Sequence, residues 1–131
     1  MRLEQLTVPL VAEAAQTPLG VYPLDDLKAL ATQIAESRGL NVNHFLAVIN
    51  KESMWSITIQ SQFVDKGGRQ ERSYGLCQLN LDARPDITIE MADSPEFCLP
   101  YMADEWKDGG QRAWSAWREL HAKYGDKPWP I

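Results

Sequence analysis

An acidic residue, Glu52, closes a segment whose apolar residues recur at helical spacing. On a helix that turns about 100° per residue, Glu52 projects within about 20° of Phe45 and between Val48 and Ile49. A carboxylate on an apolar face is costly unless it is paired or protonated, and apolar surroundings raise the pKa of a carboxyl group. Such a group can act as the general acid that glycoside cleavage requires, because the leaving oxygen must be protonated. Alternatively, Glu52 lies at a fraying helix end, where it reaches water or pairs with an arginine.

Hydrolysis with inversion also needs a second carboxylate, which activates water. Four acidic residues are available in the following stretch: Asp65, Glu71, Asp82 and Asp86. We take Asp65 and Asp82 as the candidates. Their alternative role is in turns, since Asp65 precedes Lys-Gly-Gly and Asp82 lies in a loop before Arg-Pro.

The elements that position these residues are mostly helices. Apolar periodicity, caps and terminating glycines predict helices over about residues 23–38, 41 or 43 to 52, 94–107 and 113–124. Residues 57–64 combine partial alternation with β-branched residues, and the Asp-Lys-Gly-Gly at 65–68 is a turn signal. We therefore expect one small hairpin within an otherwise helical chain.

A second motif follows Glu52 and Ser53. Residues 73–80 read Ser-Tyr-Gly-Leu-Cys-Gln-Leu-Asn. Glu-Ser after an apolar helix, followed by Gly-Leu-X-Gln, resembles the lytic transglycosylase and goose-type lysozyme family of the lysozyme-like superfamily, over about residues 43–124. The resemblance implies an α+β, mostly helical lysozyme-like fold with a small β-hairpin and a substrate cleft. It also implies cleavage of the β-1,4 bond between N-acetylmuramic acid and N-acetylglucosamine in peptidoglycan, with Glu52 as the catalytic acid. If no second carboxylate serves, the resemblance implies lytic transglycosylation, in which a hydroxyl of the substrate attacks and the product is an anhydro-sugar.

The resemblance also implies substrate-binding residues. Ser53 matches the neighbour of the acid that hydrogen-bonds within the cleft. Gly75 and Gln78 match the cleft segment, where glycine permits close approach of a sugar and glutamine offers both donor and acceptor. Tyr74 is a candidate for stacking on the substrate or hydrogen bonding to it. Trp55, just after the Glu-Ser pair, is expected to line the cleft, with packing in the core as the alternative.

Other aromatic residues have simpler expected roles. Trp106, Trp114 and Trp117 recur at helical spacing and are predicted to pack in the core. His121 lies on the apolar stripe of the last helix and is expected to be a packed core histidine. His44 falls off the apolar face of its helix and is expected at the surface.

The two cysteines, Cys77 and Cys98, are expected to be free thiols, because Met1 to Gln16 do not read as a secretory signal. A disulfide between them is the alternative. Neither has a second cysteine or a histidine nearby in sequence, so neither a zinc site nor another cofactor is expected.

Length and charge limit the function classes. The 131 residues suit a single domain, residues 22–131, preceded by an N-terminal arm of residues 1–21. A net charge of −5 argues against nucleic-acid binding, and no apolar run suits a membrane span. We expect a monomer made in the cytoplasm that acts on the cell wall, such as a phage lysis enzyme or virion component. The rivals are a non-catalytic glycan-binding module and a structural lysozyme-like module.

Overall fold

The computed structural model describes residues 22–131, and the expected arm of residues 1–21 lies outside them. Within the described part the fold is mixed, with mostly helices and one small antiparallel sheet, which confirms the α+β class. The helices are α1 (Leu24–Ser37), α2 (Val42–Ser53), α3 (Ile89–Ala92), α4 (Pro95–Lys107) and α5 (Ser115–Tyr124), with a 3-10 turn at Gly110–Ala113. The strands are β1 (Ser73–Tyr74) and β2 (Leu79–Asn80). In this part of the chain, no helix combines the length and apolarity needed to cross a membrane.

The longer helices begin and end close to where the sequence predicts them. The side chain of Asn41 caps α2 by accepting a hydrogen bond from the His44 backbone N–H at 3.0 Å. Phe45, Val48 and Ile49 are fully buried on the inner face of α2. Burial of apolar side chains is the main favourable term in folding, so α2 is anchored at the centre of the core.

The predicted strand over residues 57–64 is not a regular strand. Two isolated antiparallel bridges take its place: Gln60–Tyr74 and Val64–Gln70. The regular sheet instead lies in the second motif, where Ser73 pairs with Asn80. Residues 62–70 are exposed, so few side-chain contacts hold the chain in regular β geometry there. A hairpin is therefore present as predicted, but it is irregular.

The expectation of free thiols is wrong, because Cys77 and Cys98 form a disulfide with Cα atoms 6.1 Å apart. This separation is ordinary for a disulfide. The bond joins the second motif to the start of α4, and the two cysteines are 21 residues apart in sequence. Their contact depends on tertiary packing, which the spacing of the cysteines does not reveal.

The predicted core tryptophans are confirmed. Trp106, Trp114 and Trp117 are all buried in the main cluster. Trp106 meets Phe45 edge-on at 5.2 Å and Trp114 at 6.4 Å between ring centroids. The Trp114 indole Nε1 also donates to the Cys77 carbonyl oxygen at 2.6 Å, which ties α5 to the second motif.

The two histidines depart from their expected environments. His44 is half-buried, because its ring stacks on Trp129 at 3.6 Å, and Trp129 belongs to a tail that the helical pattern does not cover. His121 stacks on Trp117 at 4.5 Å, but its side chain remains 38% exposed. The helical pattern assigns each residue a direction but does not show which distant rings cover it.

Candidate active site

Glu52 lies in the last turn of α2, and its carboxylate reaches the first turn of α5. Its Oε2 accepts a hydrogen bond from the Ala116 backbone N–H at 3.2 Å. The N-cap residue of α5, Trp114, makes no side-chain cap hydrogen bond, so Glu52 satisfies an N–H that the helix itself leaves open. Within residues 22–131, no arginine or lysine forms an ion pair with Glu52. The alternative of an arginine-paired carboxylate is therefore not what the structure shows.

The surroundings of Glu52 raise its pKa above the ordinary value. Burial is the largest cause, since a charged carboxylate loses hydration there, and the hydrogen bond from Ala116 acts in the opposite direction. Smaller effects come from charged neighbours: the carboxylates of Glu71 and Glu119 raise the pKa, and the guanidinium of Arg118 lowers it. The net result is a carboxyl group that keeps its proton to a higher pH than an exposed glutamate does.

Two open depressions of unequal size meet at Glu52. They share five lining residues: Glu52, Glu71, Gln78, Ser115 and Arg118. The smaller depression extends along the start of α5, and the larger one runs along residues 59–63 of the hairpin. Together they form an open groove with Glu52 among the residues that both depressions share.

Gln78 is brought to Glu52 as the resemblance implies, because both line the two depressions. Its Nε2 donates to the carbonyl oxygens of Ile59 at 3.1 Å and Gly75 at 3.0 Å. These bonds fix the amide between the hairpin and the second motif. Since no residue in the described part donates to the Gln78 amide oxygen, that oxygen can accept a hydrogen bond from a ligand.

Asp65 and Asp82 are placed away from the groove lining that the structure describes. The Oδ1 of Asp65 accepts hydrogen bonds from the backbone N–H groups of Gly67 and Arg69, both at 2.9 Å, as its alternative role in a turn requires. Asp82 pairs with Arg69 at 3.0 Å and with Arg72 at 3.1 Å. Both carboxylates therefore hold the hairpin in shape.

Glu71 is the carboxylate that shares the groove with Glu52. Its backbone N–H donates to the Phe63 carbonyl oxygen at 2.8 Å, so it lies on the returning arm of the hairpin. Its charge acts on Glu52 across the groove. The sequence offered Glu71 as one of four acids, but only the pairing of the hairpin arms determines which acid faces the groove.

Ser53 and Trp55 stabilise the end of α2 and do not belong to the groove lining that the structure describes. The Ser53 hydroxyl donates to the Ile49 carbonyl oxygen at 3.0 Å and accepts from the Trp55 N–H at 3.2 Å. Ser53 is 2% exposed and Trp55 is 8% exposed. For Trp55 the structure therefore shows the alternative, packing in the core, and both residues hold the helix end that presents Glu52.

Tyr74 and Gly75 make packing contacts within the protein in the structure. Tyr74 pairs with Leu79 in the sheet and packs against the core cluster. Gly75 has φ +79°, and a Cβ at this position would overlap the Ala92 carbonyl oxygen. The close approach that glycine permits here is to the backbone at the end of α3.

The groove residues that were not singled out from the sequence include Ser115, Arg118 and Phe63. Ser115 and Arg118 lie one turn apart on α5, at the same face, which the helical pattern could have shown once the start of α5 was known. Phe63 lies on the hairpin and is 63% exposed. An exposed aromatic ring beside a polar groove is a common surface for the apolar face of a sugar.

Comparison with known protein families, with characterised proteins and with solved structures finds no match for this chain. The described residues contain no group of three or more histidine, cysteine, aspartate or glutamate side chains that could hold a metal ion. The chemistry that the groove can perform with its own side chains is proton transfer from Glu52, next to an amide oxygen, a second carboxylate and a guanidinium.

Proposed function

We propose that this chain is a lysozyme-like glycosidase that cleaves the β-1,4 bond between N-acetylmuramic acid and N-acetylglucosamine in peptidoglycan. The observation that carries the proposal is the position of Glu52, a half-buried carboxyl group with a raised pKa in the middle of an open groove. The resemblance of Glu-Ser and Gly-Leu-X-Gln to the lytic transglycosylase and goose-type lysozyme family supports the same reaction.

Glu52 acts as the general acid. It protonates the glycosidic oxygen as the bond to the leaving sugar breaks, and the sugar left behind develops oxocarbenium character. The Ala116 N–H already bonds to Oε2 and stabilises the carboxylate that forms after proton transfer. The other carboxyl oxygen, Oε1, remains to face the substrate.

Glu71 is the better candidate for the second carboxylate than Asp65 or Asp82, because it lines the groove with Glu52. In hydrolysis with inversion, Glu71 takes a proton from the attacking water. In the transglycosylase route, a hydroxyl of the muramic acid residue attacks its own anomeric carbon instead and gives its proton to the Glu52 carboxylate left by the first step, so that an anhydro-sugar forms. Both routes share protonation by Glu52.

The disulfide favours a place of action outside the cytoplasm, because disulfides persist in oxidising surroundings. We propose that the protein is made in the cytoplasm and acts on the cell wall, as a phage lysis enzyme or a virion component does.

Clearing of a suspension of purified cell walls tests the proposal. The wild-type protein should clear the suspension, and Glu52→Gln should lose at least about 100-fold in rate, because general acid catalysis contributes about that much or more. Glu36→Gln, an exposed glutamate on α1, is the matched control and should clear walls like the wild type. Co-sedimentation with walls without clearing by any variant would instead indicate a non-catalytic glycan-binding module.

Mass spectrometry of the released fragments distinguishes the two routes. A hydrolase leaves a reducing-end muramic acid that contains the added water. A transglycosylase leaves an anhydro end that is lighter by one water. Replacement of Glu71 by Gln should suppress the first product strongly and the second only weakly.

A further inference from the structure

Two arginines line the groove, and they differ in whether a carboxylate is paired with their charge. Arg84 lines the smaller depression, but its Nη2 is paired with Glu105 at 2.7 Å and its side chain is only 15% exposed. Its guanidinium also lies 5.4 Å from the centre of the Trp114 ring. The charge of Arg84 is therefore already compensated within the fold.

Arg118 lines both depressions and has no carboxylate partner within residues 22–131. Its Nη1 donates to the Arg112 carbonyl oxygen at 2.6 Å, which anchors one side of the guanidinium at the wall of the groove. The hairpin arginines differ in this respect, since Arg69 and Arg72 share Asp82. Arg118 is thus an anchored but uncompensated cation beside Glu52.

The position of Arg118 does not help Glu52 to keep its proton. A positive charge near a carboxyl group favours loss of the proton, and Arg118 lowers the pKa of Glu52 against the effect of burial. When a neutral sugar is protonated, this neighbour can only stabilise the carboxylate that remains after proton transfer. The donors of Arg118 that have no partner within the described residues suit a negative group on the ligand.

We propose that Arg118 binds a carboxylate carried by the glycan and gives the groove its preference for carboxylate-bearing strands over neutral N-acetylglucosamine polymers. This inference rests on the proposed function, since it assumes that a glycan occupies the groove. A guanidinium offers paired donors that match the two oxygens of a carboxylate, and the remaining donors of Arg118 are available to form them.

The carboxylate has two possible sources in peptidoglycan. In strands without peptides it is the free acid of the lactyl group on each muramic acid. In strands with peptides the lactyl acid is used in an amide bond, so the carboxylates belong to the peptide. Neutral N-acetylglucosamine oligomers contain neither group and serve as the reference ligand.

Calorimetric binding in a Glu52→Gln background tests the proposal without cleavage of the ligand. The ligands are neutral N-acetylglucosamine oligomers, peptide-free strands and peptide-bearing strands. Adding Arg118→Gln should raise the Kd of the carboxylate-bearing ligand by about 10- to 100-fold, as expected for a lost hydrogen bond between charged groups. The Kd of the neutral oligomer should change by less than about twofold. A loss confined to peptide-free strands identifies the lactyl acid, and a loss with peptide-bearing strands identifies the peptide.

Two further variants make the result specific. Arg118→Lys keeps the charge and should recover part of the affinity for the carboxylate-bearing ligand. Lys123→Met removes a cation from the exposed side of α5, outside the groove, and should leave every Kd as it is. Equal weakening of neutral and carboxylate-bearing ligands by Arg118→Gln, no weakening of either, or no binding of any glycan would each overturn the proposal.

The binding experiment and the wall-clearing experiment can succeed or fail independently of each other. Arg118-dependent binding of carboxylate-bearing strands by a protein that clears no walls would overturn the catalytic proposal and leave this inference standing. Wall clearing that depends on Glu52, combined with glycan binding that does not change in Arg118→Gln, would support the catalytic proposal and overturn this inference.

Discussion

The two walls of the groove are built differently. The helical wall consists of the end of α2 and the start of α5, where Glu52 is held by the Ala116 N–H and by the buried turn at Ser53. The hairpin wall consists of residues 59–63 and Glu71, which belong to a hairpin held by isolated bridges and range from half-buried to exposed. The packed wall fixes the position of Glu52, and the less tightly packed hairpin wall leaves more freedom to side chains such as Phe63.

The difference shows that separate parts of the fold determine the position of Glu52 and the positions of Glu71 and Phe63. Glu52 is positioned by a helix that ends in the core, so its place is determined by the stability of the whole fold. Glu71 and Phe63 are positioned by the hairpin, which is attached through Gln78, the sheet and Gly75. Substitutions in the two walls should therefore have different signatures.

The largest effect on stability is expected where the hairpin wall meets the helices. Gly75→Ala places a Cβ against the Ala92 carbonyl oxygen and forces a left-handed conformation on alanine. We expect a loss of about 3 kcal/mol or more in the free energy of unfolding, measured with urea. Gly68→Ala is the control, since φ is +80° there but no atom lies within 4 Å, and it should cost only about 1–2 kcal/mol. Equal losses in the two variants would show that the approach to α3 is not tight.

The disulfide is the covalent tie between the second motif and α4. Replacing Cys77 and Cys98 by serine should lower the free energy of unfolding by about 3 kcal/mol, as expected for closure of a loop of this length. Thermal unfolding of the wild type with and without a reducing agent gives the same comparison without substitution. A melting temperature that is insensitive to reductant, together with two thiols that react in the native protein, would contradict the pairing.

The helical wall was more predictable from the sequence than the hairpin wall. Apolar periodicity located α2 and put Glu52 on its inner side, because the direction of a helical residue follows from local geometry. The Gly-Leu-X-Gln motif likewise led to Gln78. The turn role of Asp65 was one of two alternatives that the sequence left open. The direction of the Glu71 side chain could not be predicted, because it depends on which residues pair across the hairpin. The Cys77–Cys98 bond and the stacking of His44 on Trp129 depend on contacts between distant segments.

The influence of the hairpin wall on the acid can be measured through pH. Glu71→Gln removes a negative charge that raises the pKa of Glu52, so that pKa should fall. A general acid works in its protonated form, and the rate is lost as pH rises through its pKa. The alkaline limb of the wall-clearing profile, scaled to the maximum of each variant, should therefore move to lower pH. Asp86→Asn, at an exposed loop position, should leave the limb in place, and a shift to higher pH in Glu71→Gln would refute this electrostatic link.

The smallest effect is expected at the tip of the hairpin wall. Phe63→Ala removes an exposed ring from the groove lining, and we expect KM for glycan to rise by about two- to tenfold with little change in kcat. Phe63→Trp should preserve binding, because it keeps an aromatic face. Val64→Ala, at the adjacent exposed position outside the groove lining described, is the control. A fall in kcat with unchanged KM in Phe63→Ala would mean that the ring positions the reacting bond rather than the glycan.

The most direct measurement is a titration of the Glu52 side-chain carboxyl group by NMR in the folded protein, with Glu52→Gln used to assign the signal. The account predicts a pKa above the ordinary value of 4.5, because burial outweighs the Ala116 hydrogen bond and the Arg118 charge. The same signal should titrate at lower pH in Glu71→Gln. A pKa at or below 4.5 in the wild type would mean that Glu52 is a stabilised carboxylate at the start of α5, and that the groove holds no proton donor.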